Sequence, residues 1–168
     1  MRKPERPYII DVEASGFGPH SYPIEVGVVL EAGTSWCSLI APEPDWTFWD
    51  PAAEAVHHVP REVLLARGRP AAQVAQHLNE LLAGVTVYTD GWVVDQPWLI
   101  QLFARAGLAQ RFAVSALEMI LTEPQMAVWH RVKDETVRAL ALTRHRASSD
   151  ALIVQETWLR SRQFALAA

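Results

Sequence analysis

The chain has 168 residues, a net charge of −4 and 50% apolar residues, the composition of one globular domain with a hydrophobic core. The negative charge excludes tight, charge-driven binding of long duplex nucleic acid, which needs a basic surface. The single cysteine, Cys37, excludes an internal disulfide. With no signal peptide expected and no apolar run of membrane-spanning length, we expect a cytoplasmic protein with one domain over residues 1–168.

The first part of the chain is predicted to form an antiparallel β-meander. Strands are expected over residues 6–14, 24–30 and 34–40, where apolar residues run together or alternate with polar ones. A turn-rich loop over residues 15–20 separates the first two strands. Short connections of this kind join neighbouring antiparallel strands.

The middle of the chain is predicted to be mainly helical. Asp50, followed by a proline, is typical of an N-cap and begins a short helix over residues 52–56. A further helical turn is expected over 61–66. Apolar residues at helical spacing predict an amphipathic helix over 70–82, and a strand follows over 85–88.

The last part of the chain continues the alternation of helices and strands. A helix is predicted over residues 97–106 and a short strand over 112–114. The Thr-Glu-Pro-Gln sequence is a capping box that begins a helix over 122–140, and a final helix is expected over 148–164. A meander followed by this alternation predicts an α/β domain whose mixed sheet is covered by helices.

Two carboxylates lie inside the apolar first strand. Alternate residues of a strand share a face, so Asp11 and Glu13 should point the same way as Ile9. Close carboxylates that lose hydration repel each other, and a divalent cation would relieve the repulsion. Their oxygens suit Mg²⁺ or Mn²⁺. The alternative is a strand face on which acidic residues simply contact water.

Other acidic residues also allow more than one interpretation. Asp90 ends the strand that begins at residue 85, and Asp95 precedes the helix predicted from Pro97, where Asp is a common N-cap. Spacing alone does not choose between these two residues as partners of the first pair. Glu25, on the second strand, is expected to be structural.

His145 and Asp150 lie near the start of the last predicted helix. On one continuous helix they would point about 140° apart, so they can converge only if His145 lies on the preceding loop. Ser148 or Ser149 would then cap the helix, and Asp150 would lie in its first turn. His145 could act as a base near neutral pH. The alternative is an exposed basic loop and an Asp favoured by the helix dipole.

Taken in order, these residues resemble the DEDDh 3′–5′ exonucleases, a superfamily that includes proofreading exonucleases, RNase T and oligoribonuclease. The ordered set is Asp-x-Glu on an early strand, Asp at a middle helix and His-x4-Asp at the last helix. Residues 22–27 and 55–58 resemble the family's second strand and its Ile-His-Gly element. The resemblance covers residues 6–160 and implies a ribonuclease H-like fold.

The resemblance also implies a role for each residue of the set. Asp11, Glu13, Asp95 and Asp150 would hold two Mg²⁺ or Mn²⁺ ions, and His145 would be the general base. The family's middle Asp opens a helix, which favours Asp95 over the acid at the strand end. Four carboxylates could not lie together without cations.

Substrate contacts follow from the same resemblance. Phe17 stands where relatives place an apolar wedge against the terminal base, and His57 matches a histidine near the bound nucleotide. Ser15 and Gly16 complete the first motif. We therefore expect these four residues to contact substrate.

Departures from the family and aromatic residues bear on substrate preference. Gly91 replaces a usual Asn, and His58 replaces a usual Gly. Trp46 and Trp92 are the better candidates for stacking on unpaired bases, whereas Trp98 is expected to pack in the core.

Together, the motifs predict a 3′–5′ exonuclease that acts on single-stranded or short DNA or RNA and releases nucleoside 5′-monophosphates. Many relatives are dimers, so a homodimer is an expectation. The alternatives are an oligoribonuclease-like activity on very short RNA, a non-catalytic nucleic-acid-binding module of the same fold, and an interaction domain that uses residues 46–49. The chain has every expected metal ligand and the base, which favours the enzyme.

Overall fold

A five-stranded mixed sheet forms the centre of the protein in a computed structural model, which describes residues 5–166. The strands are β1 Tyr8–Ala14, β2 Pro23–Val29, β3 Ser35–Leu39, β4 Thr86–Thr89 and β5 Ala113–Ala116. Their spatial order is β3-β2-β1-β4-β5, with β1 antiparallel to β2, β2 antiparallel to β3, and β4 parallel to both β1 and β5. The predicted α/β, ribonuclease H-like fold is confirmed.

α-Helices flank this sheet, and two of them begin with the predicted caps. The side chain of Asp50 accepts the N–H of Ala52 at 2.8 Å, and Thr122 and Gln125 form a capping box. Across residues 5–166, none of the helices combines the length and hydropathy that a membrane span requires. The helices are α1 Pro51–His57, α2 Arg61–Arg67, α3 Ala71–Leu82, α4 Trp92–Ala106, α5 Glu123–Leu140 and α6 Ala147–Leu166.

The start of α4 differs from the prediction. The helix begins at Trp92, so Asp95 lies in its first turn and is not the residue that caps it. The N–H groups of Val94 and Asp95 donate to the carbonyl of Gly91 at 2.9 and 3.0 Å. This turn forms before Pro97, which the sequence pattern had suggested as the first helical residue.

The start of α6 also differs from the prediction. The helix begins at Ala147, so Ser148 and Ser149 lie within its first turn and do not cap it. A carboxylate oxygen of Glu25, on β2, accepts the N–H of Ala147 at 3.1 Å from 122 positions away in the chain. His145 lies on the preceding loop and Asp150 in the first turn, as predicted.

The two faces of the sheet contact different parts of the core. Ile10 and Val12 join the larger cluster, which also contains residues of α3 and α4. Ile9 points to the opposite face and joins a second cluster with Trp158 of α6. This alternation is the one predicted from the sequence. It leaves the two acidic residues of β1 on the face towards α6.

Gly27 allows α6 to lie directly against the sheet. It pairs with Asp11 across β1 and β2. A Cβ atom at this position would lie only 2.3 Å from the nitrogen of Ser148 and 2.4 Å from the carbonyl carbon of Ala147. Because only glycine fits under the helix, the first turn of α6 can reach the acidic residues of β1.

Candidate active site

A cleft of about 440 Å³ lies beside the second half of β1, between α1, the first turn of α4 and the loop that leads into α6. The five residues predicted to form one site all line it, although they come from separate parts of the chain. They are Asp11, Glu13, Asp95, His145 and Asp150.

The carboxyl groups on β1 are in an unfavourable environment for negative charge. Burial raises the pKa of Asp11 well above its ordinary value, and the nearby charges of Asp95 and Glu13 add to the rise. Burial, followed by the charge of Asp150, raises the pKa of Glu13 to about 7. The groups therefore oppose one another's ionisation at neutral pH.

Asp95 is held in place from the end of β4. It is buried, and it accepts a hydrogen bond from the hydroxyl of Thr89, which is itself buried. Burial raises the pKa of Asp95 to about 7, and the hydrogen bond from Thr89 partly opposes that rise. Asp90, the rival candidate, does not line the cleft and is paired with Lys133 on α5.

His145 and Asp150 are joined within the loop that leads into α6. The backbone N–H of His145 donates to Oδ2 of Asp150 at 3.1 Å, and Nδ1 of His145 lies 3.9 Å from the same oxygen. His145 has a φ of 58°, a left-handed conformation that is uncommon for a residue other than glycine. Its side chain is about half exposed, as contact with a substrate would require.

Glu25 anchors this loop to the sheet. Its two carboxylate oxygens accept from Nε and Nη2 of Arg146 at 3.0 and 2.8 Å. The Glu25 side chain is only 2% exposed, whereas that of Arg146 is 39% exposed, so a buried carboxylate is paired with a partly exposed guanidinium. The prediction that Glu25 is structural agrees with this position, because it fixes the residue that follows His145.

The donor set of the cleft suits a hard divalent cation. Glu13, His145 and Asp150 each offer a ligand atom, and these atoms lie within 4.8 Å of one another. Asp11 and Asp95 line the same cleft and add two further carboxylates. Oxygen-rich sites of this kind favour Mg²⁺ or Mn²⁺, and positive charge would offset the repulsion that raises these pKa values.

The residues after β1 occupy different positions relative to the cleft. Phe17 is 74% exposed and lines the cleft, with its ring centroid 6.4 Å from that of Trp98. Gly16 also lines the cleft, and a Cβ atom there would lie 2.8 Å from the ring of Phe48. Ser15 is fully buried and does not line the cleft. Its hydroxyl is directed to the backbone, where it accepts the N–H of Tyr22 at 3.1 Å. The structure therefore brings Phe17 and Gly16 to the site, but not the Ser15 side chain.

The two neighbouring histidines at the end of α1 differ in position. His57 is 2% exposed and lines the cleft, and its Nδ1 accepts the N–H of Val59 at 3.1 Å. Its Nε2 is buried without a hydrogen-bond partner among the described residues. Burial lowers the pKa of His57. His58 is exposed at the C-terminal end of α1 and does not line the cleft.

The tryptophan predictions require two corrections. Trp46 is 4% exposed and stacks on Tyr22 with ring centroids 5.2 Å apart, so its prediction as a base-stacking residue is wrong. Trp98 packs against the core as predicted, but it also lines the cleft, and its Nε1 donates to the hydroxyl of Ser21 at 3.2 Å. Trp92 is 43% exposed and lies outside the cleft lining.

Sequence reasoning missed Asp50 and Val56 as cleft residues. Asp50 was recognised only as a helix cap, yet it lines the cleft from the start of α1. Val56 is 46% exposed on the same helix. The only available signal was that α1 leads to His57, which the family resemblance had already placed near the nucleotide.

The sequence matches no protein-family model and no curated protein. Its fold, in contrast, matches solved structures of exonuclease I. An exonuclease I structure has a TM-score of 0.73 and 13% sequence identity, and the match covers 95% of this chain and 41% of that one. E. coli exonuclease I in complex with a dA16 oligonucleotide has a TM-score of 0.72 and 12% identity, with the same coverage.

A moderately thermophilic exonuclease I gives the same result. Exonuclease I from Methylocaldum szegediense has a TM-score of 0.65 and 15% identity, and the match covers 95% of this chain and 42% of that one. At these identities the similarity shows a shared fold. This chain spans about two fifths of the length of each exonuclease I chain.

Proposed function

We propose that this protein is a metal-dependent 3′–5′ exonuclease that hydrolyses phosphodiester bonds of single-stranded or short nucleic acid to nucleoside 5′-monophosphates. The observation that carries the proposal is that all four carboxylates of the predicted set and one accessible histidine line a single cleft. The shared fold with exonuclease I supports it, since the E. coli enzyme has been solved with a dA16 oligonucleotide and with single-stranded DNA.

Asp11, Glu13, Asp95 and Asp150 would hold two divalent ions. When bound, such ions lower the pKa of water and offset the negative charge that develops on the phosphate and the leaving oxygen. The chain's contribution is to hold the carboxylates in place. Thr89 does this for Asp95 through its hydroxyl.

His145 would take the proton from the attacking water. Its imidazole is about half exposed at the edge of the cleft, while its backbone N–H is fixed to Asp150. The ion pair between Glu25 and Arg146 limits movement of the loop from the other side. The base is therefore accessible but anchored, as proton transfer to a positioned side chain requires.

The remaining wall of the cleft would receive the terminal nucleotide. Phe17 and Trp98 present aromatic surface, on which an unpaired base can stack. The buried Nε2 of His57 offers one polar contact. A protein with a net charge of −4 gains little electrostatic binding energy from a long duplex. We therefore propose single-stranded ends as substrate.

The test is incubation of the protein with 5′-labelled single-stranded DNA and RNA in Mg²⁺, in Mn²⁺ or in chelator. We expect a ladder that shortens from the 3′ end, is lost in chelator, and is reduced about 100- to 10,000-fold by His145→Ala. His130→Ala, an exposed histidine of α5 outside the cleft, is the matched control.

Other outcomes would select an alternative. Cleavage restricted to very short RNA would indicate an oligoribonuclease-like activity. Metal-independent binding of oligonucleotides without cleavage would indicate a non-catalytic module. Cleavage that is unchanged by His145→Ala would show that His145 is not the general base.

A further inference from the structure

Both carboxylate oxygens of Asp150 are engaged by other groups of the protein. Nε of Arg144 donates to its Oδ1 at 2.8 Å, and the backbone N–H of His145 donates to its Oδ2 at 3.1 Å. The side chain of Asp150 is 15% exposed, whereas that of Arg144 is 37% exposed. The guanidinium group therefore has access to solvent while it neutralises a mostly buried carboxylate.

The two arginines that flank His145 are held differently. Arg146 is fixed by two hydrogen bonds to Glu25, which also accepts the N–H of Ala147 and lies outside the cleft lining. Arg144 makes one ion pair, and its acceptor lies in the cleft. The pair between Arg146 and Glu25 can persist whatever the cleft binds. The pair between Arg144 and Asp150 uses a carboxylate oxygen that a cation would need as a ligand.

Arg144 also has a distinct electrostatic position. Within residues 5–166, it is the only lysine or arginine that forms an ion pair with a carboxylate lining the cleft. Its positive charge offsets part of the repulsion that the clustered carboxylates create. A divalent cation would supply more charge at the same place and would repel the guanidinium.

We propose that Arg144 is an internal counter-ion of Asp150 that competes with the divalent cation for this carboxylate and thereby lowers the metal affinity of the site. This inference rests on the proposed function, because it assumes that the cleft binds a cation. Arg144 must move away from Oδ1 when that oxygen becomes a ligand. Its solvent exposure gives the side chain room to do so.

The alternative role for Arg144 makes the opposite prediction. If Arg144 served to orient Asp150 for the metal, its loss would weaken metal binding. If it competes, its loss strengthens binding. The direction of the change therefore separates the two roles.

The test is a titration of the metal-free protein with Mn²⁺. Binding is measured by calorimetry and by the shift in melting temperature. We expect Arg144→Ala to bind Mn²⁺ about fivefold more tightly, in keeping with a partly exposed ion pair. Arg144→Lys retains the charge and should stay closer to the wild-type protein. Arg67→Ala, an exposed arginine at the end of α2, makes the same change in net charge and should have no effect.

A second measurement checks that Arg144→Ala is folded and that the ion pair with Asp150 stabilises the wild-type protein. In chelator, its melting temperature should be lower than that of the wild-type protein, because the mostly buried carboxylate of Asp150 loses its ion-pair partner. Unchanged or weaker Mn²⁺ binding by Arg144→Ala, or an equal gain for Arg67→Ala, overturns the competition alone. No Mn²⁺ binding by the wild-type protein overturns the proposed function and the competition with it.

Discussion

At the scale of single residues, burial makes ionisation of the carboxyl groups in the cleft unfavourable. The pKa values of Glu13 and Asp95 are both raised to about 7, and burial is the largest cause in each case. A shift of this size for Glu13, from an ordinary value of 4.5, corresponds to about 3 kcal/mol. Without cations, the folded protein therefore carries an electrostatic cost that depends on pH.

The sign of this dependence follows from proton binding. Between the ordinary pKa values near 4 and the folded values of about 7, the folded state holds more protons than the unfolded state. The free energy of unfolding of the metal-free protein should therefore fall as pH rises through this window, and these groups should add no further loss above it. Melting curves in chelator from pH 4.5 to pH 8 measure this, and Glu13→Gln should flatten the curve.

Bound Mn²⁺ should oppose the loss of stability that the metal-free protein shows as pH rises. Because the ligands must be deprotonated, metal binding should release protons and strengthen as pH rises towards 7. A melting temperature that rises with pH in chelator, or that does not respond to Mn²⁺ at pH 8, would contradict this explanation of the raised pKa values.

Thr89 provides a second prediction at the residue scale. Thr89→Val keeps the shape of this buried side chain but removes the hydroxyl that donates to Asp95. We expect Mn²⁺ affinity to fall about tenfold, the usual effect of losing a partner that orients a metal ligand. Thr86→Val, on the same strand and without a described side-chain hydrogen bond, is the matched control. Equal affinities for the two variants would show that the hydroxyl does not position Asp95.

At the scale of elements, contacts that are remote in sequence place the start of α6. Glu25 caps the helix and holds Arg146, and Gly27 leaves room for the first turn against β2. These two residues lie on one strand, and together they set the distance between Asp150 and the acidic residues of β1. The geometry of the cleft therefore depends on the packing of α6 against the sheet.

Gly27→Ala tests this dependence. The added methyl group would meet the backbone of Ser148 at 2.3 Å, so α6 must shift. We expect destabilisation of about 1–3 kcal/mol, as for other overpacked sites, and weaker Mn²⁺ binding because Asp150 moves with the helix. Denaturant unfolding and calorimetry measure the two effects. A variant with wild-type stability and metal affinity would show that the close approach of α6 is not needed.

The same contacts explain which elements could be predicted from the sequence. Strong local signals, such as the Thr122 capping box and the Asp50 cap, gave the correct starts of α5 and α1. The start of α6 was predicted one residue late and with the wrong cap, since the N–H of Ala147 is accepted by Glu25 on a distant strand. The start of α4 was placed too late because Pro97, which lies inside the helix, was taken as its first residue.

At the scale of the whole molecule, the order of elements along the chain was enough to predict the fold. A meander followed by alternating helices and strands predicted the mixed sheet that is observed. The ordered acidic motifs, through the family resemblance that they carry, identified five residues that line the cleft, whereas spacing alone left Asp90 and Asp95 open. Trp46 was placed incorrectly, and the cleft contact of the core-packed Trp98 was missed, since composition does not reveal which side of an aromatic ring remains accessible.

The chain corresponds to about two fifths of exonuclease I. It has the shared fold, and residues of this chain alone line the cleft. We therefore expect this chain to bind divalent cations without the added length of those proteins.

The most direct measurement is a crystal structure of the protein soaked in Mn²⁺, with anomalous difference maps recorded at the manganese absorption edge. We expect anomalous peaks in the cleft, within bonding distance of carboxylate oxygens of Asp11, Glu13, Asp95 and Asp150, and Arg144 displaced from Asp150. A map with no peak in the cleft at saturating Mn²⁺, or with these carboxylates directed away from one another, would contradict the proposal.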